Sequence, residues 1–332
     1  MKAATIHTYG GPDVLRIEEI AAPVVGPRDV LVAVHAAGIN PVDTKLRRGG
    51  QRAVARYRLP AVLGLDVSGV VTAVGERVTR FAVGDEVYGS PSHGRQGTYA
   101  EQVAIDEGEL AHKPRSIGHV EAASLPLVGL TAWQCLVTVG RVARGDRVFV
   151  QAGAGGVGSF AIQLAAHLGA EVATTCSARN ADFVRQLGAS IVIDHAQERF
   201  EDVLADYDVV LESIGGRDLR RARKVLRRGG RLVSITTNLA DAGERHGPYL
   251  GAALTLGRIA WLWITSRLAA RPASVVVRKP SGAQLAEIAA LVDRGAIRPI
   301  VERTFPLDQV AEAHRALETG RTRGKLVLDL AV

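Results

Sequence analysis

Apolar and polar positions alternate at short range along the first third of the chain. Up to about Pro114, brief apolar runs are separated by frequent glycines, which is typical of strands joined by turns. The predicted strands are Val30–Ala36, Ser68–Val74, Glu86–Tyr88 and Thr98–Ile105. We therefore expect this stretch to form a compact, mostly antiparallel β domain.

From about Glu121, strand-like runs alternate with stretches of helical period, a pattern that predicts a doubly wound parallel sheet of the α/β class. The strands are Arg147–Gln151, Glu171–Thr175, Ile191–Ile193, Val209–Leu211 and Arg231–Ile235, and the helices are Val157–Leu168, Asn180–Leu187 and Asp218–Leu226. A last segment, with Ile297–Thr304, a helix at Asp308–Leu317 and Lys325–Leu330, is expected to return and complete the first domain. The predicted domains are residues 1–121, 122–295 and 296–332.

One stretch does not fit this alternation, because Pro248 to Ala270 is apolar on nearly every side. Arg258 lies in its middle, and a central arginine costs about 2.5–3.5 kcal/mol on insertion scales. We therefore favour a helix buried against the sheet or at a subunit interface over a membrane contact. Adsorption to a membrane surface stays open as the alternative.

Composition agrees with an enzyme of two domains, since a chain of 332 residues exceeds the usual size of one core. Two cysteines, Cys135 and Cys176, predict a reducing compartment, and the cytoplasm is the expectation. A strand at Lys2–His7 is expected to leave no room for a targeting peptide. The net charge of +7 is densest at Arg217–Arg231, where helical spacing without aromatic residues predicts a solvated helix face and no nucleic-acid partner.

The glycine loop that follows the apolar run Val148–Val150 is the most informative motif. Glycines at a strand-to-helix turn allow the turn itself, the approach of a pyrophosphate to the backbone, and close packing of helix on strand. The phosphates are expected on the N–H groups of the helix that begins near Val157. The predicted dinucleotide contacts here are Gly153, Ala154, Gly155, Gly156, Val157 and Gly158.

The preference for NAD or NADP depends on residues about twenty positions after the glycine loop, where an NAD site has a carboxylate that binds the ribose. Residues 173–180 contain no carboxylate but include Ser177 and Arg179, which suit a 2′-phosphate. NADP(H) is therefore the predicted cofactor. The alternative is that Ser177 or Asn180 merely caps the following helix.

Six motifs in order resemble zinc-independent medium-chain dehydrogenases/reductases, in the branch of quinone oxidoreductases and alkenal/enone reductases. The resemblance covers essentially the whole chain and implies a GroES-like catalytic domain, built from both chain ends, with a Rossmann domain and usually a homodimer or tetramer. The motifs are Asn40-Pro41-Val42-Asp43, Gly64–Gly69, Gly97–Glu101, Leu125–Trp133, the glycine loop and Arg323-Gly324-Lys325.

The resemblance also implies further cofactor contacts and the absence of zinc. Asn40 stands where zinc-dependent relatives have a cysteine, and Leu65-Asp66 replaces their His-Glu pair, so no metal is expected. His195 stands where relatives often have a tyrosine beside the adenosine phosphate, and a purely structural histidine is the alternative. The resemblance also implies that the loops after two strands flank ribose and nicotinamide. The additional predicted cofactor residues are Asn40, Thr131, His195, Ser213, Ile214, Thr236 and Lys325.

Without a metal, conjugate reduction is the simplest chemistry. Hydride is added to an enone or quinone, and hydrogen-bond donors held in place by the protein stabilise the negative charge that develops on oxygen. The predicted catalytic residues are Asn40, Lys45 and Asp43. Lys45 could instead be a solvated cation, and Asp43 could close the turn after Pro41. Two other functions stay open: an enoyl-thioester reductase, and an NADPH-binding redox sensor or structural protein. The acceptor pocket is expected to depend on the loop 49–60 and on the Pro248–Ala270 helix.

Overall fold

The computed structural model describes residues 1–53, 57–93, 95 and 97–331. These form two compact units. The terminal unit comprises Met1–Leu130 and Lys279–Val332, and the central unit comprises Thr131–Arg278.

The strands and helices have the following bounds, given in chain order. The strands are β1 Lys2–Ile6, β2 Leu15–Glu19, β3 Asp29–Ile39, β4 Ala61–Val62, β5 Val67–Val74, β6 Glu86–Gly89, β7 Gln102–Asp106, β8 Leu110–His112, β9 Arg147–Val150, β10 Glu171–Cys176, β11 Ile191–Asp194, β12 Tyr207–Glu212, β13 Leu226–Ser234, β14 Ala273–Val275, β15 Val301–Pro306 and β16 Lys325–Asp329. The helices are α1 Pro41–Arg48, α2 His119–Ala123, α3 Pro126–Trp133, α4 Gly156–His167, α5 Ala181–Gln186, α6 Phe200–Val203, α7 Arg217–Lys224, α8 Leu239–His246, α9 Pro248–Leu268, α10 Gly282–Asp293 and α11 Val310–Glu318.

The terminal unit is built on a mixed sheet in the order β15-β16-β3-β5-β6-β8, with β7 also paired to β3. Strand β3 runs antiparallel to β16, so that Ile39 lies opposite Leu326. A smaller antiparallel sheet in the order β2-β1-β4 lies in the same unit. Their inner faces enclose one apolar core that includes Ile6, Val32 and Leu328.

The central unit is a parallel sheet in the order β11-β10-β9-β12-β13-β14. Its core contains Phe149, Tyr207 and Leu262. Parallel strands linked by helices, beside a unit of mostly antiparallel strands, give the α/β class that the sequence predicts. That fold-class prediction is confirmed.

The boundaries between the units differ from the predicted positions. Helix α10 belongs to the terminal unit, because the Tyr88 hydroxyl donates to the carbonyl of Leu285 at 2.6 Å. A Cβ at Gly282 would lie 2.1 Å from the carbonyl oxygen of Leu110, so this helix is closely packed on the strand β8. The unit boundary therefore falls before α10, at 278/279 rather than 295/296, and the other falls at 130/131 rather than 121/122.

Some predicted elements end elsewhere. The strand expected at Thr98–Ile105 begins at Gln102, because Tyr99 turns into the core and hydrogen-bonds Asp43. Strand β13 begins at Leu226, which the prediction assigned to the preceding helix, since a bulge lets Leu226 pair with Tyr207. Strand β15 begins at Val301, after Pro299, which has no N–H for a sheet ladder.

The apolar stretch forms the helix α9, which packs on the core of the sheet through Leu262 but leaves most of its surface exposed, so burial of the whole helix against the sheet is wrong and the subunit-interface alternative stays a prediction. Trp261 is 59% exposed and Trp263 is 49% exposed. The helix instead buries a narrow stripe that contains Gly251, Thr255 and Leu262. Within the described residues, no helix is long and apolar enough to cross a membrane.

Candidate functional site

The glycine loop connects β9 to α4 in the central unit. Gly155 stands at the start of α4 in an extended conformation, and no side chain caps it. The first helical hydrogen bond runs from the Ser159 N–H to the Gly155 carbonyl at 2.8 Å. The N–H groups of Gly156, Val157 and Gly158 precede that bond, so they are directed at the helix end where an anion is bound favourably.

Two glycines of this loop are required by the packing of the protein itself. A Cβ at Gly153 would lie 2.1 Å from the Thr174 hydroxyl oxygen on β10, and a Cβ at Gly158 would lie 2.2 Å from the carbonyl oxygen of Ala152. At Gly155 the nearest atom would be 3.4 Å away, which is an ordinary contact. Gly155 is therefore not needed for internal packing, and its missing side chain leaves space for a ligand beside the backbone.

Ser177 and Arg179 directly follow β10, the strand next to the glycine loop. Ser177 is half-buried and its hydroxyl accepts a hydrogen bond from Asn180 Nδ2 at 3.2 Å, while Arg179 is exposed. Neither Ser177 nor Asn180 caps a helix with its side chain. The alternative of a purely capping role is therefore wrong, and phosphate binding stays a prediction.

Three more predicted cofactor residues lie in the central unit. The backbone N–H of His195, just past β11, donates to the Cys176 carbonyl at 3.2 Å, and its side chain is exposed. Ser213 follows β12, and its hydroxyl donates to the Gln151 carbonyl beside the glycine loop at 3.2 Å. Thr131 lies on α3 and is buried.

Glu212 organises the loops after β12 and β13, although no local sequence pattern marks it as a site residue. Its side chain is fully buried. One carboxylate oxygen accepts the N–H groups of Ile214, at 2.8 Å, and of Gly215. The other accepts the hydroxyls of Ser234, at 2.6 Å, and Thr236, at 3.0 Å. Glu212 thus fixes Ile214 and Thr236, two predicted cofactor residues, relative to each other.

In the terminal unit, Asn40 lies at the start of α1 and is fully buried. Its amide Nδ2 donates to Asp66 at 2.9 Å, and its Oδ1 accepts from the Lys325 ammonium. Both ends of the amide are therefore engaged inside the protein. A direct bond from Asn40 to substrate or ribose would require these contacts to change, so that role stays a prediction.

Lys325 is buried with Asn40 rather than exposed at a strand end. Its ammonium donates to the Ile39 carbonyl at 2.9 Å and pairs with Asp66 at 3.1 Å. Asp66 is fully buried and also accepts the Leu127 N–H at 2.6 Å. Lys325 is a predicted cofactor residue, but in this unit it serves as the counter-ion of Asp66. The motif Arg323-Gly324-Lys325 signals its importance, although not this partner.

Asp43 lies in the same buried group. Its Oδ2 accepts the Asn40 backbone N–H at 2.8 Å and the Tyr99 hydroxyl at 3.0 Å. Burial, and next the negative charge of Asp66, raise the pKa of Asp43 to about 7. This geometry matches the turn-closing alternative for Asp43, whereas its catalytic role stays a prediction.

Lys45 is the predicted catalytic residue with an accessible side chain. It lies on α1 and is half-buried, whereas Asn40 and Asp43 are inaccessible. It makes no hydrogen bond or ion pair with the part of the chain that the structure describes. The loop 49–60, expected to shape the acceptor pocket, includes residues 54–56, which lie outside the described residues. No group of three or more His, Cys, Asp or Glu side chains within the described ranges is arranged to hold a metal ion.

Comparison with known families gives two matches that cover different parts of the chain. Residues 26–115 match the alcohol dehydrogenase GroES-like domain, and residues 187–328 match a family described as zinc-binding dehydrogenase. The first match falls in the terminal unit, and the second covers part of both units.

Individual relatives match over nearly the whole chain. A mouse mitochondrial protein, NAD(P)H oxidoreductase RTN4IP1, is 37% identical over 99% of this chain and 89% of its own length. The chloroplastic NADPH-dependent alkenal/one oxidoreductase of Arabidopsis thaliana is 37% identical over 99% of this chain and 79% of its own. The quinone oxidoreductase of Coxiella burnetii has a TM-score of 0.86 at 32% identity and covers 99% of both chains. The chain therefore belongs to the medium-chain dehydrogenase/reductase family, with its quinone oxidoreductase and alkenal/one oxidoreductase members as relatives.

Proposed function

We propose that the chain is an NADPH-dependent reductase that adds hydride to α,β-unsaturated carbonyls or quinones. The observation that carries this proposal is the glycine loop at the end of β9, whose open helix terminus and uncrowded Gly155 fit a pyrophosphate. The names of the Arabidopsis and Coxiella relatives, an alkenal/one oxidoreductase and a quinone oxidoreductase, support the substrate class.

NADP(H) fits the residues that surround the loop. The N–H groups of Gly156, Val157 and Gly158 would hold the pyrophosphate, and Ser177 with the exposed Arg179 would hold the 2′-phosphate. The cofactor supplies a hydride when bound. Glu212 keeps the Ile214 and Thr236 loops in place at the ends of the neighbouring strands.

A residue of the terminal unit is the proposed donor of the proton that the reduction requires. Hydride addition to the β-carbon of an enone moves an electron pair onto the carbonyl oxygen, and a proton must then be added to complete the reduction. Lys45 is a partly accessible cation of α1, whereas the more exposed Arg48 is paired with Glu318, and we assign Lys45 to stabilise that oxygen and provide the proton. Asn40 and Asp43 hold the start of the helix that carries Lys45.

The cytoplasm and a homodimer are also part of the proposal. Both cysteines are buried and unpaired, which suits a reducing compartment, whereas the names of the mouse and Arabidopsis relatives place those proteins in organelles. Strand β14 ends the parallel sheet and has a strand partner on one side only among the described residues. Such an edge can pair with the same edge of a second copy. Measurement of the molar mass in solution tests the proposed homodimer.

An acceptor panel with stereospecifically deuterated NADPH tests the reductase function. We expect NADPH consumption with an enone or quinone, and one deuterium on the β-carbon of the reduced enone. Turnover restricted to enoyl thioesters would support that alternative. Tight NADPH binding without turnover on enones, quinones or enoyl thioesters would instead support a binding protein and reject the proposal.

The substitution Lys45→Met tests the proposed role of Lys45 as proton donor. We expect turnover to fall by about 10²-fold, in the usual range for a general acid, while the dissociation constant for NADPH stays unchanged. Arg48→Met is the matched control, because it removes another cation from α1. Equal turnover in the Lys45→Met variant and the control would remove Lys45 from the mechanism.

The substitution Arg179→Glu tests the cofactor preference. Loss of a charged hydrogen bond to the 2′-phosphate should raise the KM for NADPH over that for NADH by about 1.5–3 kcal/mol, or roughly 10–150-fold. Arg185→Glu makes the same charge change on the adjacent helix α5, where Arg185 pairs with Asp182. Equal changes in the two KM values for Arg179→Glu would contradict the phosphate contact.

A further inference from the structure

Helix α9 turns its polar side inward and its apolar side outward. The residues it buries are Gly251, Thr255, Leu262 and Ser266, and their spacing places them on one stripe. Most of the remaining surface is apolar and exposed, and surface helices usually show the reverse arrangement. The exposed apolar side chains are Tyr249, Leu250, Leu254, Leu256, Trp261, Trp263, Ile264 and Leu268, with Leu256 at 67% and Leu268 at 83%. A contiguous patch of this kind marks an interaction surface.

The positive charge of the sequence is concentrated in the segment 217–278, which contains this helix. Of the 41 Lys and Arg and 34 Asp and Glu in the chain, residues 217–278 hold 13 and 3. The other residues therefore hold 28 and 31, which is slightly acidic. Between Glu244 and Glu287 the sequence has no acidic residue. The surface that meets α9 is thus expected to carry negative charge.

The structure joins the basic helix α7 to α9. The Arg223 guanidinium donates to the Thr265 carbonyl at 3.1 Å, and Arg271, just after α9, donates to the Arg223 carbonyl at 3.3 Å. Ala222 of α7 and Leu262 of α9 belong to one core cluster. The dense basic run, which the sequence analysis interprets as a solvated face, therefore lies directly beside the apolar helix.

We propose that the exposed face of α9, together with the basic residues of α7, adsorbs to the surface of an anionic lipid bilayer. Tryptophan prefers the level of lipid headgroups, and leucine and isoleucine side chains gain by entering the acyl boundary. Arg267 lies over the ring of Trp263, with 3.8 Å from its guanidinium carbon to the ring centroid. Its charged end can therefore reach the phosphates while its stem stays in apolar surroundings.

A second copy of this chain is a less suitable partner for the same face. A two-fold interface pairs one surface patch with the same patch of the other copy, so two surfaces of net positive charge would meet. No acidic residue of α9 is available to compensate. An anionic bilayer satisfies both the apolar and the charged part of the surface, and each nearby basic residue strengthens its binding.

Co-sedimentation of the full-length protein with lipid vesicles tests this inference. We expect partition onto phosphatidylcholine vesicles with added phosphatidylglycerol to exceed partition onto pure phosphatidylcholine by about tenfold. Trp261→Ser with Trp263→Ser should reduce binding to the mixed vesicles by about tenfold. Arg220→Glu with Lys224→Glu, which changes exposed residues of α7, should remove the preference for anionic lipid. Val24→Ser with Val83→Ser is the control, because these exposed apolar residues lie in the terminal unit.

Two results would overturn the inference. One is the absence of binding to the anionic vesicles, or equal binding to both kinds. The other is a loss of oligomer mass in the Trp261→Ser, Trp263→Ser variant with unchanged vesicle binding, which would assign the face to a second copy. Thermal unfolding of each variant shows whether it is folded, and Arg220→Glu with Lys224→Glu keeps α9 unaltered. Turnover of a water-soluble enone should be unchanged in the Arg220→Glu, Lys224→Glu variant, so failure of the reductase function would be seen separately.

Discussion

Each unit contains a fully buried carboxylate with a hydrogen-bond network, Asp66 in the terminal unit and Glu212 in the central unit, and these two networks neutralise their charge differently. In the terminal unit, Asp66 pairs with the ammonium of Lys325 and accepts from the Asn40 amide. In the central unit, Glu212 accepts from two backbone N–H groups and two hydroxyls. The charge of Asp66 thus depends on one cation that comes from the other end of the chain, whereas the charge of Glu212 is shared among four neutral dipoles.

This difference predicts that one substitution can cause a large loss of stability in the Asp66 network, whereas one substitution in the Glu212 network causes a smaller loss. Removing one member of a buried ion pair leaves an uncompensated charge in a medium of low dielectric. Removing one of several neutral donors costs about one hydrogen bond. Substitutions in the two networks can therefore be ranked by expected effect.

The largest effect is expected for Lys325→Met in the terminal unit. It leaves Asp66 buried without a counter-ion, so the free energy of unfolding should fall by about 3–5 kcal/mol. Urea unfolding measures this loss. The double variant Lys325→Met, Asp66→Asn removes both charges and should recover part of the stability. A loss below about 1 kcal/mol in the single variant would mean that the ion pair does not stabilise the unit.

An intermediate effect is expected for Glu212→Gln in the central unit. The amide has one acceptor oxygen in place of two, so the free energy of unfolding should fall by about 1–3 kcal/mol. The KM for NADPH should rise more than kcat falls, because the two loops that Glu212 joins flank the proposed cofactor site. Glu244→Gln, at an exposed position on α8, is the control. A stability loss with an unchanged KM would restrict Glu212 to a structural role.

The remaining effect is a pH dependence of stability that Asp43 adds to the terminal network. Its folded pKa of about 7 lies above the ordinary value of 3.8, so the folded state binds the proton more tightly than the unfolded chain does. The stabilising contribution is complete below pH 4 and is lost as the pH rises to 7, with a slope of at most about 1.4 kcal/mol per pH unit. Asp43→Asn should lack this loss.

Urea unfolding between pH 4 and pH 7.5 compares Asp43→Asn with the parent protein. The stability difference between them should shift in favour of the variant as the pH rises. Asp241→Asn, at an exposed position on α8, controls for the charge change. Parallel pH profiles for the parent and Asp43→Asn would contradict the assignment of the raised pKa to Asp43.

Local patterns predicted the elements of the central unit better than its polar contacts. Strands β9 to β12 and the glycine loop follow from apolar runs and glycines that are close in sequence. Glu212 was missed because a glutamate at a strand end has no local signal that it is buried. Its bond to Thr236 depends on the loop that follows the neighbouring strand.

The expectation that the whole of α9 is buried against the sheet failed for a different reason. Hydrophobic residues on all sides of a helix are equally compatible with a buried helix and with an exposed apolar face. What decides between them here is that small or polar residues, such as Gly251, Thr255 and Ser266, form the buried stripe. The contact of Lys325 with Asn40 could not be predicted from the sequence pattern either, because hydrophobic periodicity contains no information about which distant segments of a chain meet.

That contact has a consequence for the order of folding during synthesis. Asn40 and Lys325 lie 285 residues apart, and β16 pairs with β3 on one side and β15 on the other. The ribosome must therefore complete nearly the whole chain before the terminal unit can close, whereas the central unit is contiguous and can fold earlier. The first 130 residues have to wait with an unpaired strand edge, so the nascent chain is expected to need protection by a chaperone until its last strand emerges.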